Sequence, residues 1–342
     1  MYISKNFLSE SIDALKNKKI SLIEYINLLC DRIDKTDPFV KALLPENNRR
    51  ERLIKEAEEL KKTFPDINKR PPLFGIPIGV KDIFRVDGFE TSAGSKLPSK
   101  LFKGAESSVV TTLKKAGALI LGKTVTTEFA YFEPGPTCNP HNINHTPGGS
   151  SSGSAAVVAC GYTPLALGTQ TIGSITRPAS FCGVYGFKPS YSRIATDGVI
   201  PFSESADHVG FFTQDLEGIK ITASLLCNNW RNNILISEKL PVIGVASEKY
   251  LEQADDEVRN FFEKNLELLE KTGFKIIRVD VFEDIEKLNI THKKMTAADF
   301  YNVHKIWFAQ YENLYRESTR KLILEGKEVS AETFYNAREE RG

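Results

Sequence analysis

The sequence predicts an α/β fold, a β-sheet covered by helices on both faces, and three observations carry this reading. Short apolar runs at residues 76–80, 118–121, 164–167 and 241–246 have the length of strands and are set apart by Gly and Pro. They are interleaved with helical patterns such as residues 107–115 and 153–159, the alternation that builds a sheet between helical layers. Within the runs apolar residues follow one another without polar alternation, as strands buried on both faces require.

The elements follow in order. Residues 1–70 read as a helical segment packed on the core. Ser21 and Glu24 form a capping box, and Ile26, Leu29, Cys30 and Ile33 then recur at helical spacing, laying one apolar stripe on a core. Asp37-Pro38 is expected to end that helix. A charged helical stretch at residues 47–62 precedes Pro65, Pro71 and Pro72. There the texture changes to short apolar runs, and residues 71–342 are expected to form the α/β domain. After Asp255, Val258, Phe262, Leu266 and Leu269 repeat helically, Gly273 is a C-terminal cap, and residues 274–279 read as a strand, a further αβ unit. Residues 291–342 are mostly helical, with Phe300, Trp307, Tyr311 and Tyr315 as core positions; no internal repeat is found.

Composition narrows the function. The 342 residues, 41% hydrophobic, bury a sizeable core, and disordered or collagen-like chains are excluded. With 45 Lys plus Arg against 44 Asp plus Glu, the net charge of +1 gives no general attraction for nucleic acid or anionic membranes. No run reaches the length of a membrane span, and the N-terminus lacks the apolar centre of a signal peptide. A cytoplasmic location is expected. The five cysteines (Cys30, Cys138, Cys160, Cys182 and Cys227) are odd in number and never in a CxxC pair, which suits buried free thiols and no metal site.

Three segments bear chemistry. Pro147-Gly148-Gly149-Ser150-Ser151-Ser152-Gly153-Ser154 leads directly into Ala155-Ala156-Val157-Val158-Ala159, placing small hydroxyls and backbone N–H groups at a helix start. It suits a linker, a phosphate cradle lacking the Walker lysine, or a nucleophile loop. Gly149 to Gly153 also satisfies GxSxG with Ser151 as nucleophile, but residues 142–147 are polar and contain a proline where a nucleophile elbow needs an apolar strand. His208, His292 and His304 keep a triad on Ser151 open. In the second segment, residues 168–178, Ser174 follows a strand and sits in a tight turn whose amides suit an oxyanion. In the third, Lys81 ends an apolar run; it is either desolvated and available as a base, or it reaches solvent or pairs with Asp82.

Taken together and in this order, Gly79-Val80-Lys81-Asp82, the Gly/Ser run from Pro147 to Ala156, and Gly168-Thr169-Gln170-Thr171-Ile172-Gly173-Ser174 with Arg177-Pro178 resemble the amidase signature family of serine hydrolases. The resemblance extends through Gly122-Lys123-Thr124, Thr127-Glu128-Phe129, Asn139-Pro140, residues 181–184, residues 186–190 and Asp207-His208-Val209-Gly210. It covers residues 8–220 and, more loosely, the rest. It implies a mixed β-sheet core under helices on both faces. It also implies a triad of Ser174 as nucleophile, Ser150 as bridging serine in a cis peptide, and Lys81 as base, with the N–H groups of Thr171, Ile172, Gly173 and Ser174 as oxyanion hole. The reaction implied is hydrolysis of a linear, non-peptide carboxylic amide to acid plus ammonia or amine through an acyl-enzyme, with no metal or organic cofactor. The partner is then a small-molecule amide, with no direct nucleic-acid or membrane partner and room for a homo-oligomer.

Two departures from the family pattern follow. Ile172 stands where a second glycine is common and is expected to stiffen and narrow the oxyanion loop. Family members are also longer, so the C-terminal part of the fold is expected to be missing, leaving apolar sheet surface exposed. The family's amidotransferase branch, which releases ammonia from glutamine for aminoacyl-tRNA, usually reads Ser-Asp-Thr-Gly-Gly-Ser at the nucleophile. The present Thr169-Gln170-Thr171-Ile172-Gly173-Ser174 is nearer to stand-alone amidases. A catalytically silent binding protein on the same fold is the alternative from another class. Phe129, Tyr131 and Phe132 offer an apolar pocket wall or simply core. Arg177 suits a substrate carboxylate or backbone carbonyls.

Overall fold

The computed structural model describes residues 2–232, 239–281 and 284–341. They divide into two compact units, Met1–Trp230 with Thr296–Ser330, and Arg231–Met295 with Ala331–Gly342.

In the first unit, α1 (Leu8–Lys16), α2 (Leu22–Val40) and α3 (Arg49–Thr63) precede β1 (Pro77–Lys81), α4 (Ser108–Lys115), β2 (Leu119–Thr124), α5 (Ser152–Ala159) and β3 (Leu165–Gln170). Then come α6 (Thr176–Cys182), β4 (Tyr185–Phe187), β5 (His208–Thr213) and α7 (Leu216–Leu226). The sheet order is β2-β1-β3-β5-β4. β1 pairs in parallel with β2 and β3, whereas β5 runs antiparallel to β3 and β4, so the sheet is mixed. Every residue of β1, β2 and β3 is buried, as their unbroken apolar texture predicts.

The N-terminal helices share this core: Leu8, Leu22, Ile26 and Ile33 join one hydrophobic cluster with Ile78, Val80 and Leu167. Ser21 caps α2, its hydroxyl accepting the Glu24 N–H at 3.1 Å. The helix does not end at Asp37-Pro38. It runs to Val40 with Pro38 inside it, in the last turn, where only two residues of helix remain beyond the proline. Asp37 still stops it, one turn later: its carbonyl takes the Lys41 N–H, and its carboxylate takes the Ala42 and Leu43 N–H groups at 2.8 and 3.4 Å.

In the second unit, β6 (Val242–Ala246) and β7 (Lys275–Val279) form a parallel pair, joined through α8 (Glu248–Leu251) and α9 (Asp256–Lys271). Gly273 adopts the left-handed φ of +98° that the helix end requires. On α9, Leu266 is buried and Phe262 and Leu269 are half-buried, but Val258 is exposed. Val242, Ile277 and Val279 are exposed on the strands. α10 (Ile285–Tyr311) contributes residues to both units, α11 (Glu317–Lys327) belongs to the first, and α12 (Ala331–Arg341) falls in the second.

Phe300 and Tyr315 are buried in the first unit, with Trp307 and Tyr311 half-buried against the core. His304 lies within this aromatic group, 4.1 Å from the Phe300 ring, and burial drives its pKa down to about 3. All five cysteines are free thiols, four of them buried. Among the described residues no helix is long and apolar enough to cross a membrane.

Candidate active site

β1 delivers Lys81 to its C-terminal end with no exposed surface. The Gly/Ser loop comes to meet it because Gly153 permits close approach. A Cβ there would stand 2.3 Å from the Ala42 carbonyl oxygen and 2.4 Å from the Val125 nitrogen, whereas the glycine N–H donates to the Val125 carbonyl at 2.9 Å. The Gly149–Ser150 peptide bond is cis. Lys81 Nζ lies 2.8 Å from Ser150 Oγ and 2.8 Å from Thr169 Oγ1, at the end of β3. Burial pulls the Lys81 pKa from the ordinary lysine value down to about 7, with the charge of Asp207 opposing.

Ser151 lies elsewhere. It has no exposed surface, its hydroxyl donates to the Thr169 carbonyl at 3.1 Å and accepts the Thr169 N–H at 3.3 Å, and no strand runs into its loop. A nucleophile elbow presents its serine at the surface of a strand-to-helix turn, so this arrangement is not one.

β3 ends at Gln170, and Ser174 sits in the turn that leads into α6. Gln170 organises that turn. Its Oε1 accepts the N–H groups of Ile175 and Thr176 at 2.8 and 2.9 Å, and its Nε2 donates to the Ile172 carbonyl at 3.1 Å. The N–H groups of Ile172, Gly173 and Ser174 donate to no protein acceptor among the described residues. The two loops are joined through the Ser151 N–H, which donates to the Ser174 carbonyl at 3.4 Å. Among the described residues no hydrogen bond joins the Ser150 and Ser174 hydroxyls.

Ser174 opens onto a small cavity of about 20 Å³, walled by Tyr131, Phe132, Ile172, Arg177 and Phe202. Ile172 is 56% exposed at its rim, so its bulk lies outside the turn rather than within it. Tyr131 stacks on Phe202 at 5.8 Å. Of the two readings open for Phe129, wall or core, it is core: it is 2% exposed and packs on Phe102, His304 and Tyr315, not a substrate wall. Arg177 is occupied, its Nε and Nη2 donating to the Gly149 carbonyl at 3.1 and 2.8 Å, while the guanidinium lies 5.5 Å from the Phe132 ring. It thus braces the carbonyl of the cis peptide.

Thr169, Gln170 and Asp207 carry contacts to which the sequence reading gave no individual role. For Thr169 and Gln170 the available signal was a polar side chain at the last positions of an otherwise apolar strand, where burial demands partners; Asp207, just before β5, carries no such signal. Replacing Gln170 by Ala leaves the buried Ile175 N–H without its acceptor. It is expected to lower stability by about 1–3 kcal/mol, read from the urea unfolding midpoint.

Comparisons with known proteins agree with this fold. The family model described as amidase matches residues 24–340. The glutamyl-tRNA(Gln) amidotransferase A-subunit of Persephonella marina is 29% identical over 82% of this chain and 62% of its own length. That of Koribacter versatilis is 36% identical over 74% of this chain and 55% of its own. The chain thus spans less than two thirds of these curated relatives. A solved amidase crystal structure superposes with a TM-score of 0.88 at 29% identity, over 98% of this chain and 77% of that one. Its mixed sheet between helices, the Lys–Ser pair at the sheet's end and the family match across nearly its whole length place this chain in the amidase signature family.

Proposed function

We propose that the chain is an amidase that cleaves a small linear, non-peptide carboxylic amide, with Ser174 as nucleophile, Ser150 as relay and Lys81 as base. One observation carries the reading: of two buried lysines at neighbouring strand ends, only one is neutralised by a carboxylate. Lys123 Nζ lies 2.8 Å from Asp82 Oδ1, whereas Lys81 meets only the hydroxyls of Ser150 and Thr169. A buried lysine with no carboxylate in contact gives up its proton near neutrality, and its free amine is a base. In the proposed relay Ser174 passes its proton to Ser150 as Ser150 passes its own to Lys81, and Ser174 Oγ attacks the amide carbonyl. The unpaired N–H groups of Ile172, Gly173 and Ser174, with that of Thr171, receive the developing oxyanion. The proton returns through Ser150 to the leaving amine, and water hydrolyses the acyl-enzyme. Tyr131, Phe132 and Phe202 supply the apolar wall.

The stand-alone form is favoured by Gln170. Its Nε2 donates to the Ile172 carbonyl, a bond that a carboxylate at this position cannot make. The curated relatives favour a second reading, a glutamine-hydrolysing amidotransferase component working with partner chains. Ammonia release from glutamine only in the presence of co-purifying partner chains supports the second; turnover of simple amides by the isolated chain supports the first.

Treatment with a fluorophosphonate followed by peptide mapping tests the site. The adduct is expected on Ser174; an adduct on Ser151 refutes the assignment. Because the Lys81 pKa is lowered to about 7, its neutral form predominates above that pH. The labelling rate is therefore expected to rise through about pH 7 and to level off above it, and a flat profile between about pH 5 and 9 counts against Lys81 as base.

A further inference from the structure

The oxyanion loop is closed by a carboxylate outside the triad. Asp207 stands immediately before β5. Its Oδ1 accepts the hydroxyl of Thr171, the first residue of that loop, and its Oδ2 accepts the N–H groups of Phe202 and Ser203 at 2.8 and 3.0 Å. One side chain therefore ties the loop bearing Ser174 to the segment whose Phe202 ring walls the cavity. That segment is itself anchored to α10, where Asp299 Oδ2 accepts the hydroxyls of Ser203 and Ser205, each at 2.6 Å.

We propose that Asp207 is a positioning residue of the amidase reaction: it holds the 171–174 loop in place around Ser174, and its negative charge balances Lys81 when that lysine carries the relayed proton. The inference rests on the triad reading above. The clamp follows from the contacts just described, and the charge from the register of β3 on β5: Thr169, whose hydroxyl meets Lys81, lies opposite Val209, two residues beyond Asp207. A loop that must present several N–H groups to one oxygen loses that aim if its first residue is released. A protonated lysine in a buried site is stabilised by a fixed opposite charge.

The other charged groups facing these two residues are engaged. Asp82, just after β1, and Lys123 on β2 pair with each other, Arg177 on α6 holds the Gly149 carbonyl, and Asp299 on α10 holds Ser203 and Ser205. On β5, His208 Nδ1 donates to the Ala206 carbonyl at 2.7 Å. Burial holds the Asp207 pKa up at about 6, so the carboxylate is charged at neutral pH and its field raises the Lys81 pKa.

The test is the pH dependence of fluorophosphonate labelling at Ser174 in the full chain. Asp207→Asn keeps the shape and removes the charge. Its plateau rate is expected to fall by about tenfold or more, and its midpoint to move to lower pH, since Lys81 without the opposing charge loses its proton more readily. Thr171→Val releases the clamp and leaves the charge, so it is expected to slow labelling with the midpoint unmoved. A midpoint unmoved in Asp207→Asn, or a wild-type rate in Thr171→Val, overturns the proposal; if Asp207→Asn does not fold, Thr171→Val alone decides. Wild-type protein unlabelled at Ser174 overturns the triad reading and this inference with it, whereas labelling at Ser174 that ignores both variants overturns this inference alone.

Discussion

Replacing Ser174 by Ala is expected to lower amide hydrolysis by roughly four to six orders of magnitude, measured as ammonia release from a panel of primary amides. The size follows from the role: without the nucleophile no acyl-enzyme forms, and what remains is the modest effect of binding and the oxyanion hole. Lys81→Ala is expected to fall to a similar level, because Ser174 and Ser150 then have no final proton acceptor. The double variant is expected to be scarcely worse than either single one, as holds for groups that act as a unit. Ser151→Ala separates this site from the elbow alternative. Its hydroxyl bridges both backbone groups of Thr169, so its loss is expected to cost about 1–3 kcal/mol of stability while retaining most turnover. Full activity in Ser174→Ala sinks the assignment.

The layered fold was legible because its signals are local. Unbroken apolar runs mark β1, β2 and β3, and each lies within a few residues of its expected place. Lys81 was legible as a lysine at a strand's end, but the residues alone left open whether it pairs with Asp82. That question is settled by Lys123, 41 positions further along, which takes Asp82 for itself; no local pattern encodes such a partner. The meeting of Ser150 with Lys81 across 69 positions is of the same kind and came only through the family resemblance. The aromatic wall was half legible. Phe129 and Ala130 both adopt positive φ, +47° and +61°, in a turn without glycine or asparagine to announce it. This turns Phe129 into the core and leaves Tyr131 and Phe132 at the cavity, a reversal that strand or helix periodicity does not anticipate.

Lys123→Met is expected to produce the largest loss of stability, about 3–5 kcal/mol, seen as a lower urea unfolding midpoint. Lys123 Nζ serves Asp82 Oδ1 at 2.8 Å, the Phe84 carbonyl at 2.9 Å and Thr91 Oγ1 at 3.0 Å, and the ion pair is almost fully buried, with 3% and 1% side-chain exposure. Methionine fills similar space but leaves Asp82 Oδ1 a buried charge with no counter-ion; Ser92 serves only the other oxygen. Isolating a buried charge costs more than deleting the whole pair, since the pair gains little over an apolar substitute while the orphan keeps its full desolvation penalty. The double variant Asp82→Asn with Lys123→Met is therefore expected to be more stable than Lys123→Met alone, and additive losses refute this account. Activity is expected to follow, because Asp82 adjoins Lys81 and its backbone N–H and carbonyl bond to Thr124 and Ala93. A shift of that anchor moves the base away from Ser150, so folded Lys123→Met should label slowly at Ser174 even where the Lys81 amine is fully deprotonated.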